Sequence, residues 1–205
     1  MSQELMATRD TLLRHNAGIW EGCFIRLDGR GHELERFPSR LEVSDRAGTI
    51  HADLTNGRTG VVRSMQFREP PPEMQISAEG HWSLGPDRIG AWPWVCELCL
   101  VWRNQRRRIV VRHGSAEIES MVLVGEARPG SSQEETVARL QLTPQAQGPL
   151  TWLWTAPAPL SLTITTPRSR KPGSPESVSL CWQPEAGVQL HIQRAYSPYG
   201  MLLDS

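Results

Sequence analysis

The sequence contains a single lysine, Lys171, so nearly all of its 22 basic residues are arginine. Phenylalanine and tyrosine are also scarce, at three and two residues beside eight tryptophans. No segment reaches the run of about 20 apolar residues that a transmembrane helix needs. The 22 acidic residues bring the formal net charge to +0, which gives the chain no overall attraction to nucleic acid or anionic membranes. We therefore expect a globular protein that neither spans a membrane nor binds nucleic acid.

Motifs of common catalytic sites are absent as well. The sequence has no G-x-S-x-G, no P-loop, no H-E-x-x-H and no G-x-G-x-x-G after a predicted strand. Ser-His-Asp sets built from distant segments need no such motif, so the catalytic residues stay unknown and enzymatic activity stays open.

The four cysteines do not form a recognisable metal-binding or redox motif. Cys96 and Cys99 make a C-x-x-C, but alternation along a strand turns their side chains to opposite faces, and Cys23 and Cys181 are isolated. We expect buried thiols and no metal site. Met1–His15 lacks the apolar core of a signal peptide, so we expect a cytoplasmic protein with reduced cysteines.

Hydrophobic periodicity predicts one short helix followed by many strands. Apolar residues seven positions apart predict a helix over residues 2–15, and alternation predicts strands from there on, including Ala91–Trp102 and Val137–Leu142. Residues 167–177 are rich in Arg, Pro and Ser and predict a mobile loop. Short, evenly spaced strands of this kind favour a barrel or a sandwich, and we expect an all-β fold in one domain over residues 1–205.

Three residues predict how such a barrel closes. In lipocalin-like barrels, a G-x-W motif at the first strand places its indole across the closed end, and an arginine from the last strand packs over it. Gly18 and Trp20 match the motif, and Arg194 lies in the last predicted strand. We expect a structural cation–π contact between Trp20 and Arg194, worth about 1–2 kcal/mol when desolvated.

Three segments resemble a cyanobacterial, calycin-like family of unknown function. Gly18–Arg26 reads G-I-W-E-G-C-F-I-R, similar to the family's G-E-W-E-G-S-F-x-R, with Cys23 in place of serine. Leu98–Glu126 is similar to its basic hairpin and apolar strand, and Ile192–Leu203 to its R-x-Y-x-x-x-G pattern. The resemblance implies a single lipocalin-like or calycin-like antiparallel barrel, which would have about 8–10 strands. It also implies a distant similarity to the S-type lyases that attach bilins to phycobiliproteins.

The excess of tryptophan predicts an aromatic cavity for a large, flat, conjugated molecule, although these indoles could equally form an ordinary core. A tetrapyrrole such as a bilin is the leading ligand, and a carotenoid or lipid comes next. Only one of Arg112 and His113 can point inward, and an inward arginine would suit a ligand carboxylate. The predicted ligand-binding residues are Trp94, Trp152, Trp154, Trp182, Arg112, His113 and Glu97.

Two alternatives remain open at this stage, along with the oligomeric state. The first is a bilin lyase or isomerase, which would dock a phycobiliprotein, with the basic run Arg103–Arg108 as the candidate contact. The second is a ligand-free scaffold or assembly factor with a packed interior. A solvent-exposed hairpin tip is the simpler interpretation of the basic run.

Overall fold

The computed structural model describes residues 3–131, 139–148, 151–158, 160–167 and 173–204. Within them it forms one helix, which confirms the predicted one, and no helix long and apolar enough to cross a membrane. The elements are α1 (Gln3–Asn16), β1 (Gly18–Asp28), β2 (Glu33–Arg46), β3 (Thr49–Asn56), β4 (Val62–Phe67), β5 (Gln75–Ile76), β6 (Trp82–Leu84), β7 (Trp94–Trp102), β8 (Gln105–His113), β9 (Ile118–Ala127), β10 (Gln145–Ala146), β11 (Thr151–Ala156), β12 (Leu162–Pro167), β13 (Glu176–Glu185) and β14 (Val188–Tyr196).

Nine strands form one antiparallel sheet in the order β4-β3-β2-β1-β9-β8-β7-β6-β5, which curls into a half-barrel. Leu41 and Ile50, from β2 and β3, share one apolar cluster with Trp82 and Cys99, from β6 and β7. Strands this far apart in the sheet meet only if the sheet curls around that face, so it is the concave face. Leu12 of α1 belongs to the same cluster, and the helix packs on the concave face near β2 and β5.

The second sheet has five strands in the order β10-β11-β12-β13-β14 and packs on the convex face of the first. Alternate residues of β7 and β8, such as Leu98 and Ile109, meet alternate residues of β12 and β13, such as Ile164 and Leu180. All four side chains are fully buried. The larger of the two apolar clusters in the described chain therefore lies between the sheets, which we call the inter-sheet core.

This arrangement corrects the expected single closed barrel. β1 already pairs with β2 on one side and β9 on the other, so it has no free edge for the last strand. β14 pairs with β13 in the other sheet. The all-β class is confirmed, but the strands divide between a curled sheet and a second sheet, and 14 of them lie in the described residues.

Alternation along the individual strands is confirmed, and two local predictions need correction. Cys96 contributes to the inter-sheet core and Cys99 to the concave cluster, so their side chains do face opposite ways. Within the predicted strand at Val137–Leu142, residues 137 and 138 lie outside the described part, and the described remainder makes only an isolated bridge between Gln141 and His32. Of the predicted loop, residues 168–172 lie outside the described residues, Pro167 ends β12 and Glu176 begins β13.

Candidate functional site

The inter-sheet core contains three of the four tryptophans predicted to bind a ligand. Trp94 of β7, Trp154 of β11 and Trp182 of β13 are almost fully buried in one apolar cluster, and Trp152 packs against it partly buried. Aliphatic side chains from both sheets surround them. These indoles hold the sheets together, and their predicted role in binding a ligand stays a prediction.

The polar residues predicted to join them lie on both faces of the curled sheet. His113 is buried and stacks on Trp94, with 4.2 Å between ring centroids and 11° between planes. Arg112 and Glu97 lie on the opposite, concave face, where Arg112 is exposed and Glu97 forms an ion pair with Arg108. The seven residues therefore do not converge on a single site, because neighbours along a strand face opposite ways.

The closure contact expected at Trp20 forms with different arginines. The guanidinium carbons of Arg106 and Arg128 lie 4.4 and 4.3 Å from the centroid of the Trp20 ring. Its indole nitrogen donates to the Asn16 carbonyl at 2.9 Å. Arg106 can reach this ring because β8 lies in the same sheet as β1, whereas Arg194 belongs to the second sheet. The structural role of Trp20 is retained, and the expected pairing with Arg194 is wrong.

Asn16 and Arg128 join the end of α1 to this ring. The side-chain oxygen of Asn16 accepts from the Trp82 indole at 3.2 Å and from Arg106 at 3.4 Å. Arg128 donates to the carbonyl of Ala17 at 2.8 Å, which supplies a donor to the helix C-terminus. Gly18 follows with a φ of 107°, a left-handed conformation that glycine tolerates.

Arg194 is buried and connects β14 to the segments on either side of β6. Its guanidinium donates five hydrogen bonds of 2.8–3.1 Å, to the carbonyls of Glu73, Gly85 and Pro86 and to the hydroxyls of Ser83 and Tyr196. Burial raises the pKa of Tyr196 to about 12, and its hydroxyl donates onward to the Pro86 carbonyl. Arg194 is thus a structural residue that joins the two sheets.

A buried ion cluster of Arg106, Glu126, Arg108 and Glu97 lies on the concave face. The fully buried Glu126 carboxylate is 2.7 Å from Arg106 and 3.0 Å from Arg108, and Arg108 reaches Glu97 at 2.8 Å. Burial alone would raise the pKa of Glu126, but the two guanidinium charges outweigh it and the net shift is downward. Glu126 is therefore ionised and holds both arginines.

The basic run is consequently not a solvent-exposed hairpin tip. The turn is confined to Arg103 and Asn104, and Arg106, Arg107 and Arg108 are only 1%, 3% and 8% exposed. Arg107 points to the opposite face from its neighbours, with its guanidinium carbon 4.7 Å from the centroid of the Trp182 ring. Burial removes these three arginines from any surface that could dock an acidic protein.

Beside the buried ion cluster and the buried apolar cluster, one part of the concave face stays accessible to solvent. Phe24 and Phe37 stack there with ring centroids 5.4 Å apart and an angle of 16° between their planes. Strand pairing places further apolar side chains on the same face, all of them partly exposed and Met65 59% exposed. We define the open concave region as Phe24, Phe37, Leu54, Met65, Val95, Val110 and Val122.

Two arginines without a carboxylate partner in the described chain lie on this face. Arg63 is directly opposite Leu54 and Arg112 is directly opposite Val95, and both are exposed. By contrast, Arg26 on the same face forms an ion pair of 3.0 Å with Glu35. The open concave region is therefore bordered by uncompensated positive charge, although the protein as a whole is neutral.

The sequence does not predict the open concave region, because alternation shows which residues share a face but not how far each side chain is exposed. Alternation places Phe24 on one face of the first strand, but its stacking on Phe37 depends on how β1 and β2 are paired. Glu126 was missed because its partners precede it by about 20 residues along the chain, in the neighbouring strand.

One fully buried hydroxyl supplies a prediction about the inter-sheet core. Thr166 Oγ1 has no hydrogen-bond partner in the described chain, which is unfavourable for a polar atom at such a position. Thr166→Val removes the hydroxyl at nearly constant volume, and we expect the free energy of unfolding to rise by about 1 kcal/mol in urea denaturation. Thr165→Val, at a partly exposed position on the other face, is the control and should change it by less than about 0.5 kcal/mol. A destabilised Thr166→Val protein would contradict the prediction.

With these features the chain falls into a class of two-sheet β proteins that have a curled first sheet covered by an N-terminal helix. The chain is similar to a solved protein of unknown function from the DUF3598 family of Nostoc punctiforme, with a TM-score of 0.75 and 15% identity over 94% of each chain. No family model and no curated protein matches it. At 15% identity, this likeness concerns the fold alone. The solved protein comes from a cyanobacterium, like the family that the sequence segments resemble.

Proposed function

We propose that the protein binds an apolar, conjugated small molecule with carboxylate groups on the open concave region. Tetrapyrroles such as bilins are the leading class, and carotenoids or lipids come next. The observation that supports this proposal is the set of seven apolar side chains that stay accessible to solvent inside the curl of the sheet. These side chains share one face of one sheet, and exposed apolar patches are typical of binding sites.

Burial of apolar surface would supply the binding energy. Each Å² of apolar surface removed from water contributes about 25 cal/mol, and a curved sheet covers more of a ligand than a flat one. Phe24 is stacked on Phe37 and also has the Arg108 guanidinium 5.5 Å from its ring centroid, so Phe37 would be the ring that contacts the ligand. An aromatic ring suits a planar conjugated ligand better than a flexible chain. This favours tetrapyrroles over lipids.

Carboxylate groups on the ligand would pair with Arg63 and Arg112. Both guanidinium groups are exposed beside the apolar side chains, and guanidinium matches a carboxylate with two parallel hydrogen bonds. Arg108 is already held by Glu97 and Glu126, so it is a less suitable partner. We therefore expect anionic ligands to bind more tightly than neutral ones of similar size.

The lyase alternative has less support. It requires a basic surface that docks an acceptor protein, and three of the four arginines expected to form one are buried, which leaves only Arg103 exposed. It also requires a group that transfers protons, and the Glu97 and Glu126 carboxylates are engaged in ion pairs. Covalent transfer to an acceptor protein, if observed, would revive this alternative.

A titration tests the proposal. Biliverdin, a linear tetrapyrrole with carboxylates, is added to the purified protein, and the visible absorption bands and tryptophan fluorescence are recorded; β-carotene and oleate serve as neutral and aliphatic comparisons. We expect saturable binding of biliverdin, weakened about tenfold by Phe37→Ala and by Arg112→Ala. Tyr199→Ala is the control, because Tyr199 is 86% exposed and lies outside the curled sheet. Absence of binding, or equal binding by the Phe37→Ala protein, would contradict the proposal.

A further inference from the structure

The edge strand β4 differs from the other sheet edges in the described chain. β5 and β10 are two residues long, and β14 exposes polar side chains at Gln189, His191 and Gln193. β4 has six residues, and the edge exposes apolar side chains, with Val61 at 56%, Val62 at 54% and Met65 at 59%. Such an edge is usually shortened, charged or covered, because it templates pairing with another strand.

Strand pairing shows which backbone groups of β4 face outward. The Val61 carbonyl accepts a hydrogen bond from the Asn56 amide, so Val61 bonds toward β3. In an antiparallel ladder the bonding direction alternates, and Arg63, Met65 and Phe67 therefore also bond toward β3. The N–H and C=O groups that point away from the sheet belong to Val62, Ser64 and Gln66.

We propose that the β4 edges of two copies of this chain pair antiparallel, about a twofold axis at Ser64. The three outward-facing residues are spaced symmetrically around Ser64, so the register brings Ser64 opposite Ser64 and Val62 opposite Gln66 of the second copy. Every outward backbone group then meets one from the second copy. This self-complementarity favours a second copy over an unrelated strand.

The side chains of β4 are compatible with this register. On the concave face, Val61 comes opposite Phe67 of the second copy, and both are apolar. Arg63 comes opposite Met65, whose exposed side chain can pack against the arginine stem. Arg63 is the only charged residue within β4, so no like charges lie directly opposite each other.

The pairing would join the two curled sheets into one sheet of 18 strands. It would also bring Arg63 and Met65 of the second copy to the border of the open concave region. It does not depend on what that region binds, and failure of the ligand titration would leave it intact. Because only seven residues per copy take part, we expect a weak dimer that dissociates in the micromolar range.

Sedimentation velocity tests the pairing over concentrations from about 1 μM to about 1 mM, the range in which weak interfaces dissociate. We expect the wild-type mass to rise from monomer toward dimer. Ser64→Pro removes one outward N–H and leaves the bonds to β3 in place, because proline is tolerated at a sheet edge. We expect it to weaken the dimer at least about tenfold, while Ser64→Ala, which keeps the N–H, dimerises like the wild type.

A second variant keeps the test decisive if Ser64→Pro fails to fold by circular dichroism. Val62 is exposed in the monomer, so Val62→Lys should fold normally and weaken the dimer by placing two charges beside the paired edge. A wild-type protein that stays monomeric throughout the range would overturn the proposal. A dimer unaffected by a folded Ser64→Pro or Val62→Lys variant would also overturn it, because the contact would then lie elsewhere.

Discussion

Replacing Glu126 with glutamine is expected to lower the free energy of unfolding by about 3–5 kcal/mol. The side chain of Glu126 is fully buried and forms ion pairs with both Arg106 and Arg108. Glutamine keeps the size of the side chain but removes the charge. Two buried guanidinium groups then lie close together, and Glu97 is the one carboxylate left in the cluster. Loss of one partner from a buried ion cluster lowers the free energy of unfolding far more than loss of a surface ion pair.

Urea denaturation at neutral pH, followed by circular dichroism, measures this effect. Glu119→Gln is the matched control, because Glu119 lies in the same strand and is exposed; we expect a change below about 0.5 kcal/mol. If the two variants had similar stabilities, the buried ion cluster would contribute little to the fold.

The same carboxylate makes stability depend on acid. The pKa of Glu126 is raised by burial but lowered by more through Arg106 and Arg108, so it is below its unfolded value of about 4.3. A lowered pKa contributes stability that is present above the unfolded value and is lost as the pH falls through the folded value. We expect the wild type to lose stability below about pH 4, and the advantage of wild type over Glu126→Gln to shrink there.

Replacing Arg194 with methionine is the second large effect, with an expected loss of about 3–5 kcal/mol. Methionine keeps much of the apolar length but none of the five hydrogen bonds. The carbonyls of Glu73 and Gly85 lose a buried donor, and each such loss costs about 1–3 kcal/mol unless water reaches the group. The Pro86 carbonyl keeps the hydrogen bond from the Tyr196 hydroxyl.

Thermal and urea unfolding measure the stability that Arg194→Met loses, and Arg112→Met is the control because Arg112 is exposed. We expect the control to unfold like the wild type. If Arg194→Met cost less than about 1 kcal/mol, the segments around β6 would be held to the second sheet by apolar packing alone.

Local features of the fold could be predicted from the sequence. Apolar spacing predicted a helix over residues 2–15, which the structure forms at Gln3–Asn16, and alternation predicted the opposite faces of Cys96 and Cys99. Both follow from the geometry of a single element, which adjacent residues determine.

Pairing between distant strands could not be predicted in this way. Trp20 was assigned an arginine from the last strand because a closed barrel was assumed, and nothing local states that β1 is flanked by β2 and β9. The second sheet was likewise missed, since the alternation of β12 or β13 is the same whether the strand completes a barrel or packs across it.

The buried arginines could have been found by extending one prediction. Alternation also predicts strands at Ile109–His113 and Ile118–Glu126, and the hairpin that they form continues until Arg106 lies directly opposite Glu126. The basic run was instead assigned to solvent, because isolated charges are costly to bury. A cross-strand carboxylate removes that objection once the pairing is known.

The alternation of Arg106, Arg107 and Arg108 between the two faces of β8 has a consequence for how the strand aligns during folding. In the native alignment Glu126 meets two of the guanidinium groups and Trp182 the third. A slip of one residue would reverse all three, leaving two arginines among aliphatic side chains and one beside the carboxylate. A one-residue slip of β8 would therefore be strongly destabilising. The three arginines specify a single alignment of β8 with its neighbouring strands.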